Sequence, residues 1–276
     1  MKPCISEATL MPCTFAEDVA YLADAGCAGM EVWLTKLENH LQAQPLADTR
    51  KLLADRGMEL AVAAFQGGLL LSQGEQRQAH FEHFRRRLDL CAALGIPTLI
   101  VAADFGDKVD AVALERAVVS LAQAAQWAAG FGVRLALEFF GRSAFCSSLD
   151  TALALVGNCG ENNVGINFDV FHYYTGPSKF EDLERLPVER LFHVQLCDVA
   201  GVPRELAQDG DRILPGDGDF QLRPLVECIA AKGYEGWVSL EAANPALWQV
   251  KPTQVAEIGF TALRKMLGVA EARCAG

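Results

Sequence analysis

Four short apolar runs in the second half of the chain each carry a side chain able to bind a metal. They are LALEFF (135–140), INFDVFH (166–172), FHVQLCD (192–198) and WVSLEAA (237–243). Along an extended strand, successive side chains point to opposite faces. One parity reads Leu135/Leu137, Ile166/Phe168, Val194/Leu196 and Val238/Leu240, uniformly apolar. The other reads Ala136/Glu138, Asn167/Asp169, His193/Gln195 and Ser239/Glu241, and no Lys or Arg alternates with these acids on that face. Burying unpartnered carboxylates costs several kcal/mol each. A single one is often tied to an arginine or to backbone amides, but three of the same parity point to a bound cation.

The ligand set read from these residues is Glu138, Asp169 and Glu241, with either Gln195 or His193 as the fourth member. An all-oxygen set with Gln195 suits Mg2+ or Mn2+, whereas His193 would bring Co2+ or Zn2+ into range. His172, three residues past Asp169, falls beyond the strand end at the mouth of such a site. Arg212, in DRILPGDGDF, precedes a Pro-Gly turn that would fix its loop, and its guanidinium could anchor a substrate carboxylate, phosphate or hydroxyl. Glu31, Trp33, Phe65, Gln66 and Phe105 lie near earlier strand ends, where they could line a pocket or simply pack.

The elements that must position these residues form a repeating pattern. Strand-like runs fall at 4–10, 29–34, 59–65, 98–103, 134–140, 164–170, 191–197 and 236–242. Helical periodicity marks 15–25, 46–56, 75–94, 111–130, 148–157, 221–232 and 252–267, with a short helix near 180–186. Glycines 26, 57, 95, 132 and 233 stand where helices should stop before the next strand. Eight strand-helix units with short connections predict one closed parallel (β/α)8 TIM barrel over residues 1–276, since parallel strands need helical crossovers and covered faces. An open doubly wound sheet is disfavoured because no G-x-G-x-x-G follows the first strand. The barrel places Glu138, Asp169, Gln195 and Glu241 on four adjacent strands near their C-terminal ends, where such barrels carry their active sites.

Composition narrows the partners. The 276 residues are 51% hydrophobic and 21% charged, with a net charge of −11 that repels nucleic acid backbones. No stretch is long and apolar enough to span a membrane, and no secretory leader is legible. The nine scattered cysteines contain no C-x-x-C pair, which fits a reducing cytoplasm. The expected partner is a small sugar or polyol-derived ketone, and a homo-oligomer is compatible with the sequence.

In residues 134–248 the order LALEF, NFDVFHYYTGPSKFEDLERLP, LFHVQLCD, RILPGDGDF and VSLEAANPALW resembles the xylose-isomerase-like barrels. These include hydroxypyruvate isomerases, inosose isomerases and dehydratases, tagatose-type epimerases and some 3-dehydroshikimate dehydratases. The resemblance implies Glu138, Asp169, Gln195 and Glu241 as metal ligands, and matches His172 and Arg212 to the family's D-x-x-H histidine and R-x-x-P-G-x-G arginine. Many members carry His where this chain has Gln195. The additional histidines of the DNA-repair endonuclease branch are missing.

A divalent ion chelating a substrate carbonyl and neighbouring hydroxyl would acidify the intervening C–H and stabilise an enediolate. Glu138 and Glu241 would serve as the acid/base pair, and His172 and Arg212 would hold substrate oxygens. The expected activity is therefore a metal-dependent ketose or hydroxy-keto acid isomerase or epimerase. The alternative is a lyase that expels a β-hydroxyl, an inosose or 3-dehydroshikimate dehydratase. A non-catalytic sugar-binding barrel is the third reading, and intact Glu138 and Glu241 count against it.

Overall fold

The computed structural model describes residues 1–106 and 108–269. Eight strands, β1 Lys2–Ser6, β2 Gly29–Trp33, β3 Glu59–Gln66, β4 Thr98–Ala102, β5 Arg134–Glu138, β6 Val164–Asp169, β7 Leu191–Leu196 and β8 Trp237–Leu240, form a closed barrel in chain order. All neighbouring pairs are parallel, and β8 closes on β1 through Lys2–Trp237 to Ile5–Leu240. The chain is thus a TIM barrel, as its strand-helix repeat predicts.

Ten helices surround it among the described residues: α1 Phe15–Asp24, α2 Leu34–Ala43, α3 Leu46–Arg56, α4 Gly74–Leu94, α5 Ala111–Gly130, α6 Leu149–Cys159, α7 Val170–Thr175, α8 Phe180–Arg185, α9 Leu222–Ala231 and α10 Pro252–Leu267. Gly57 shows why the helix stops are legible in the sequence. It closes α3 at φ +61°, a left-handed conformation in which a side chain would be strained. None of these helices is long and apolar enough to cross a membrane. The eight cysteines among the described residues are free.

Three local expectations change. The run 4–10 is not one strand, because β1 ends at Ser6 and Glu7–Leu10 turns as a 3-10 helix with Ser6 as its N-cap. Helix α2 has no separate sequence signal, since it begins immediately after β2 at Leu34 and continues that strand's apolar run. The same holds for α7, which starts at Val170 with the Asp169 carboxylate accepting from the Phe171 N–H at 2.8 Å.

The apolar parity of the strands packs outward against the helices in one extensive core. A smaller apolar cluster of Val62, Ala64, Ile100, Ala136 and Phe192 is separate from it. A register shift between Ile166 and Asn167 brings His193 opposite Asn167 and Gln195 opposite Asp169. Glu138 pairs with Asn167 in turn, so the polar parity of β5, β6 and β7 lines up across the strands.

Candidate active site

Glu138 and Asp169 are the last residues of β5 and β6, and Glu241 immediately follows β8. Ligand atoms of Glu138, Asp169 and His172 lie within 4.8 Å of one another. His172 reaches this position because α7 starts directly from β6 and turns its first residues back over the barrel end, with Nε2 3.5 Å from Asp169 Oδ2. No hydrogen-bond donor among the described residues reaches the Glu138 carboxylate, although the residue is only 7% exposed. Burial, followed by the charges of Glu241 and Asp169, pushes its pKa well above the usual carboxylate range. A buried carboxylate without a donor, facing a second carboxylate and an imidazole, fits a divalent cation. The imidazole adds a nitrogen donor to a set read from the sequence as all oxygen. It widens the fitting ions from Mg2+ and Mn2+ toward Co2+ and Zn2+.

The polar face is not without a protein cation. Arg212, from the loop between β7 and α9, is only 2% exposed and forks onto Asp169 through Nη1–Oδ1 at 3.2 Å and Nη2–Oδ2 at 2.7 Å. Nη1 also donates to Glu241 Oε2 at 3.0 Å, and Nε and Nη2 donate to Asp209 Oδ1 at 3.0 and 2.9 Å. Strand alternation could not show this partner, because it arrives from a loop. Burial would lower the guanidinium's pKa, but Asp169 and Glu241 outweigh it and hold the group firmly charged. Burial raises Glu241 well above the carboxylate range despite Arg212. Burial also pushes His172 down to about 4, only partly opposed by Asp169, so its imidazole is neutral near pH 7.

The Arg212 loop is built to hold this position. Asp198 Oδ1 accepts from Val199 N and Phe220 N, both at 2.9 Å, and Oδ2 accepts from Gly216 N at 3.0 Å. The backbones of Asp198 and Ile213 exchange hydrogen bonds at 3.0 and 2.8 Å, and Asn244 Nδ2 donates to Arg212 O at 2.8 Å. At Gly218 a Cβ would stand 2.3 Å from Asp198 Oδ1, so the loop's close approach requires glycine. Replacing Arg212 with Leu is expected to destabilise chelator-treated protein by about 3–5 kcal/mol at neutral pH, the usual cost of stripping one partner from buried charges. The loss should shrink in urea titrations as pH falls, because burial already raises Glu241 and removal of the guanidinium favours its protonated form further. An equal loss at all pH values would assign the effect to packing.

Gln195 and His193 are engaged deeper in the barrel, at 1% exposure each. Gln195 Nε2 donates to Glu31 Oε1 at 2.9 Å, which fixes the amide orientation because an ionised carboxylate only accepts. Its Oε1 therefore accepts from Asn167 Nδ2, leaving one lone pair for a further partner, while Asn167 Oδ1 is buried without a donor. His193 Nε2 contacts Glu31 Oε2 at 3.0 Å and Ser239 Oγ at 2.8 Å, so the proton it gives Glu31 occupies the lone pair a metal would need. Glu31 also accepts from Ser6 Oγ at 2.8 Å and from Ser239. Burial alone would raise its pKa, but His193, Ser239 and Ser6 together hold it below the ordinary value.

Sequence reasoning left Glu31 between pocket lining and packing, and gave Asn167 and Ser239 no role. Their parity with the acids was the available signal. Among the other pocket candidates, Phe105 is buried at the mouth, and Trp33 packs edge-on to the exposed Phe65 at 5.4 Å between ring centroids. A cavity of about 700 Å³ between α1, α2 and α3, lined by Phe15, Lys36 and His40, does not include any of these acids.

The chain is similar to an inosose isomerase of Halalkalibacterium halodurans, 26% identical over 259 residues, covering 91% of this chain and 90% of that protein. It is also similar to a 3-dehydroshikimate dehydratase of Pseudomonas aeruginosa, 28% identical over 249 residues, where the match spans 87% of this chain but 38% of the relative. Among solved structures, the IOLI protein with a binding zinc atom superposes with a TM-score of 0.92 at 20% identity, covering 99% of this chain and 100% of that one, a likeness of fold. The xylose isomerase-like TIM barrel family pattern matches residues 19–266, and with the closed eight-stranded barrel and its mouth of converging acids the chain belongs to that family.

Proposed function

We propose that this protein is a divalent-metal-dependent isomerase or epimerase of a ketose or hydroxy-keto acid. The observation that carries this reading is the meeting of Glu138, Asp169 and His172 within 4.8 Å at the C-terminal mouth, with Glu241 joined to the same group through Arg212. Glu138, Asp169 and Glu241 would hold the ion, with His172 and the remaining lone pair of Gln195 as the other donors at hand. When bound, the ion would polarise a substrate carbonyl and stabilise the negative charge of an enediolate.

The rest is the work of this chain's side chains. Glu138 and Glu241 stand on β5 and just past β8, with β6 and β7 between them, and reach the substrate from different sides of the mouth. Glu241 removes the proton from the carbon beside the carbonyl, and Glu138 returns one to the neighbouring carbon or to the opposite face of the same carbon. Neutral His172 can donate to, or accept from, a substrate hydroxyl without adding charge. Arg212 holds Asp169 and Glu241 in place and offers its cation to substrate oxygen. The relatives named as inosose isomerase and 3-dehydroshikimate dehydratase support sugar-like and cyclic hydroxyketone substrates.

The dehydratase relative, 28% identical, also supports a second reading. The same first proton abstraction is followed by departure of a β-hydroxyl as water, with Glu138 as the acid that protonates it and neutral His172 placed to hydrogen-bond it. Proton NMR in deuterated water, with inosose, 3-dehydroshikimate, hydroxypyruvate and a ketose panel, tests both. An isomerase or epimerase is expected to give product of unchanged composition with deuterium at the reprotonated carbon, and a lyase to give a dehydrated product that has lost the α-proton. Isomerised product formed without any deuterium entry would remove the enediolate route.

A further inference from the structure

Glu241 stands one residue past the end of β8, where the ladder to β1 has run out at its last pair, Ile5 and Leu240. On the β7 side its backbone is still held, because Glu241 N donates to Leu196 O at 3.1 Å. On the β1 side no strand remains, since the chain leaves β1 at Ser6 and turns through the 3-10 helix Glu7–Leu10. The side chain of Thr9, in that turn, stands in for the strand. Its Oγ1 donates to Leu240 O at 3.2 Å and accepts from Ala242 N at 3.1 Å, the backbone groups on either side of Glu241. In a parallel ladder, one residue of the neighbouring strand makes this same pair of bonds. Its N–H donates to the carbonyl before the residue opposite, and its C=O accepts from the N–H after it.

Among side chains of similar size, only serine also offers a donor and acceptors on one atom. Thr9 is 1% exposed, and Leu240 and Ala242 are fully buried, so solvent does not replace these bonds when they are lost. The turn that carries Thr9 is itself fastened. Lys36 Nζ donates to Glu7 O at 3.4 Å and Leu10 O at 2.9 Å, one at each end of the turn, and to Asp18 Oδ2 at 2.5 Å. Trp248 Nε1 donates to Ala8 O at 3.2 Å. With its three donors engaged in this way, Lys36 serves the turn and not the cavity it also lines.

We propose that Thr9 is a positioning residue for Glu241. By continuing the β1–β8 ladder one step beyond its last strand pair, the hydroxyl fixes the backbone from which the Glu241 carboxylate reaches the ion and the substrate carbon. This rests on the role of Glu241 proposed above. Thr9 itself touches neither substrate nor ion. Without the hydroxyl, Leu240 O and Ala242 N lose their partner on the β1 side, and residues 240–242 can twist while Arg212 still holds the carboxylate tip. A general base displaced by even a small amount loses rate steeply, because proton transfer requires hydrogen-bond reach and alignment.

The test compares Thr9→Val, which removes the hydroxyl and keeps the branched shape, with Thr9→Ser, which keeps the hydroxyl; Thr9→Ala replaces the first if it does not fold. The rate read is α-proton loss in deuterated water at saturating Mn2+, from whichever of inosose, 3-dehydroshikimate, hydroxypyruvate and the ketoses reacts fastest. In Thr9→Val kcat should fall by about 10-fold with KM within about twofold, and Thr9→Ser should return kcat to within about threefold of wild type. Because Glu241 is also a proposed ligand, calorimetry without substrate should show Mn2+ affinity lowered by about 3- to 10-fold in Thr9→Val and recovered in Thr9→Ser. Thr49→Val controls for the loss of a buried hydroxyl. Thr49 is equally buried and bonds Pro45 O at 3.2 Å in α3, so its loss should lower Tm without moving either quantity. In a Glu241→Gln background Thr9→Val should bring no further loss of rate, since both changes act through one carboxylate. Unchanged kcat or unchanged affinity in Thr9→Val, an equal loss in Thr9→Ser, or a further loss of about 10-fold in the Glu241→Gln background overturns the positioning role and leaves Glu241 as the base. Undiminished α-proton loss in Glu241→Gln would remove the base and its positioner together. If none of the compounds reacts, the Mn2+ affinities decide, and a wild type that neither reacts nor binds Mn2+ ends both the proposed function and this role.

Discussion

Dialysis against EDTA is expected to abolish turnover, and Mn2+ to restore it, with Mg2+, Co2+ and Zn2+ restoring it to differing degrees. The reason is the arrangement of donors. Glu138 is buried with no hydrogen-bond donor among the described residues, and Asp169 and His172 present ligand atoms to the same point. The effect should be visible without any substrate, because a ligand held only by the folded state adds stability by mass action. At about a hundred times its dissociation constant, an ion would add about 2.7 kcal/mol to unfolding free energy. Thermal melts with and without Mn2+ read this directly, and Asp169→Asn should weaken the shift. If Gln195 is a ligand, Gln195→His should retain the ion while moving its preference toward Zn2+ or Co2+, since imidazole favours them. Melts that ignore every divalent ion, in protein freed of metal by chelation, would end the metal-dependent reading.

The second large effect concerns the proton. Glu241→Gln is expected to reduce turnover by about 10²-fold or more, the usual contribution of a positioned general base. The fold and some ion binding should survive, since the amide oxygen can still ligate and can still accept the Arg212 hydrogen bond now made at 3.0 Å. Deuterium entry at the α-carbon should slow by a similar factor. Glu138→Gln should reduce turnover comparably if that carboxyl returns the proton. The two variants separate in exchange experiments, because a chain lacking only the returning group can still release the first proton to solvent. Undiminished exchange in Glu241→Gln would move the base elsewhere, with Glu138 the next candidate. Turnover with a primary isotope effect from substrate deuterium, but without solvent exchange, would indicate a hydride shift.

The barrel and the acid-bearing strands were legible in the sequence because both depend on short-range periodicity. Strand alternation placed Glu138, Asp169, Gln195 and Glu241 on one face, and helix-stopping glycines such as Gly57 and Gly95 marked the repeat, since a left-handed backbone favours glycine at whatever site it occurs. Helices α2 and α7 were not legible, as each starts where a strand ends without a break in the apolar run.

The tertiary structure alone decided which groups meet across the barrel. Arg212 reaches Asp169 and Glu241 from 43 and 29 residues away, and Glu31 reaches His193 and Gln195 from 162 and 164. These contacts follow from closure of the sheet, the shift in the β6–β7 register and the path of a loop clamped by Asp198.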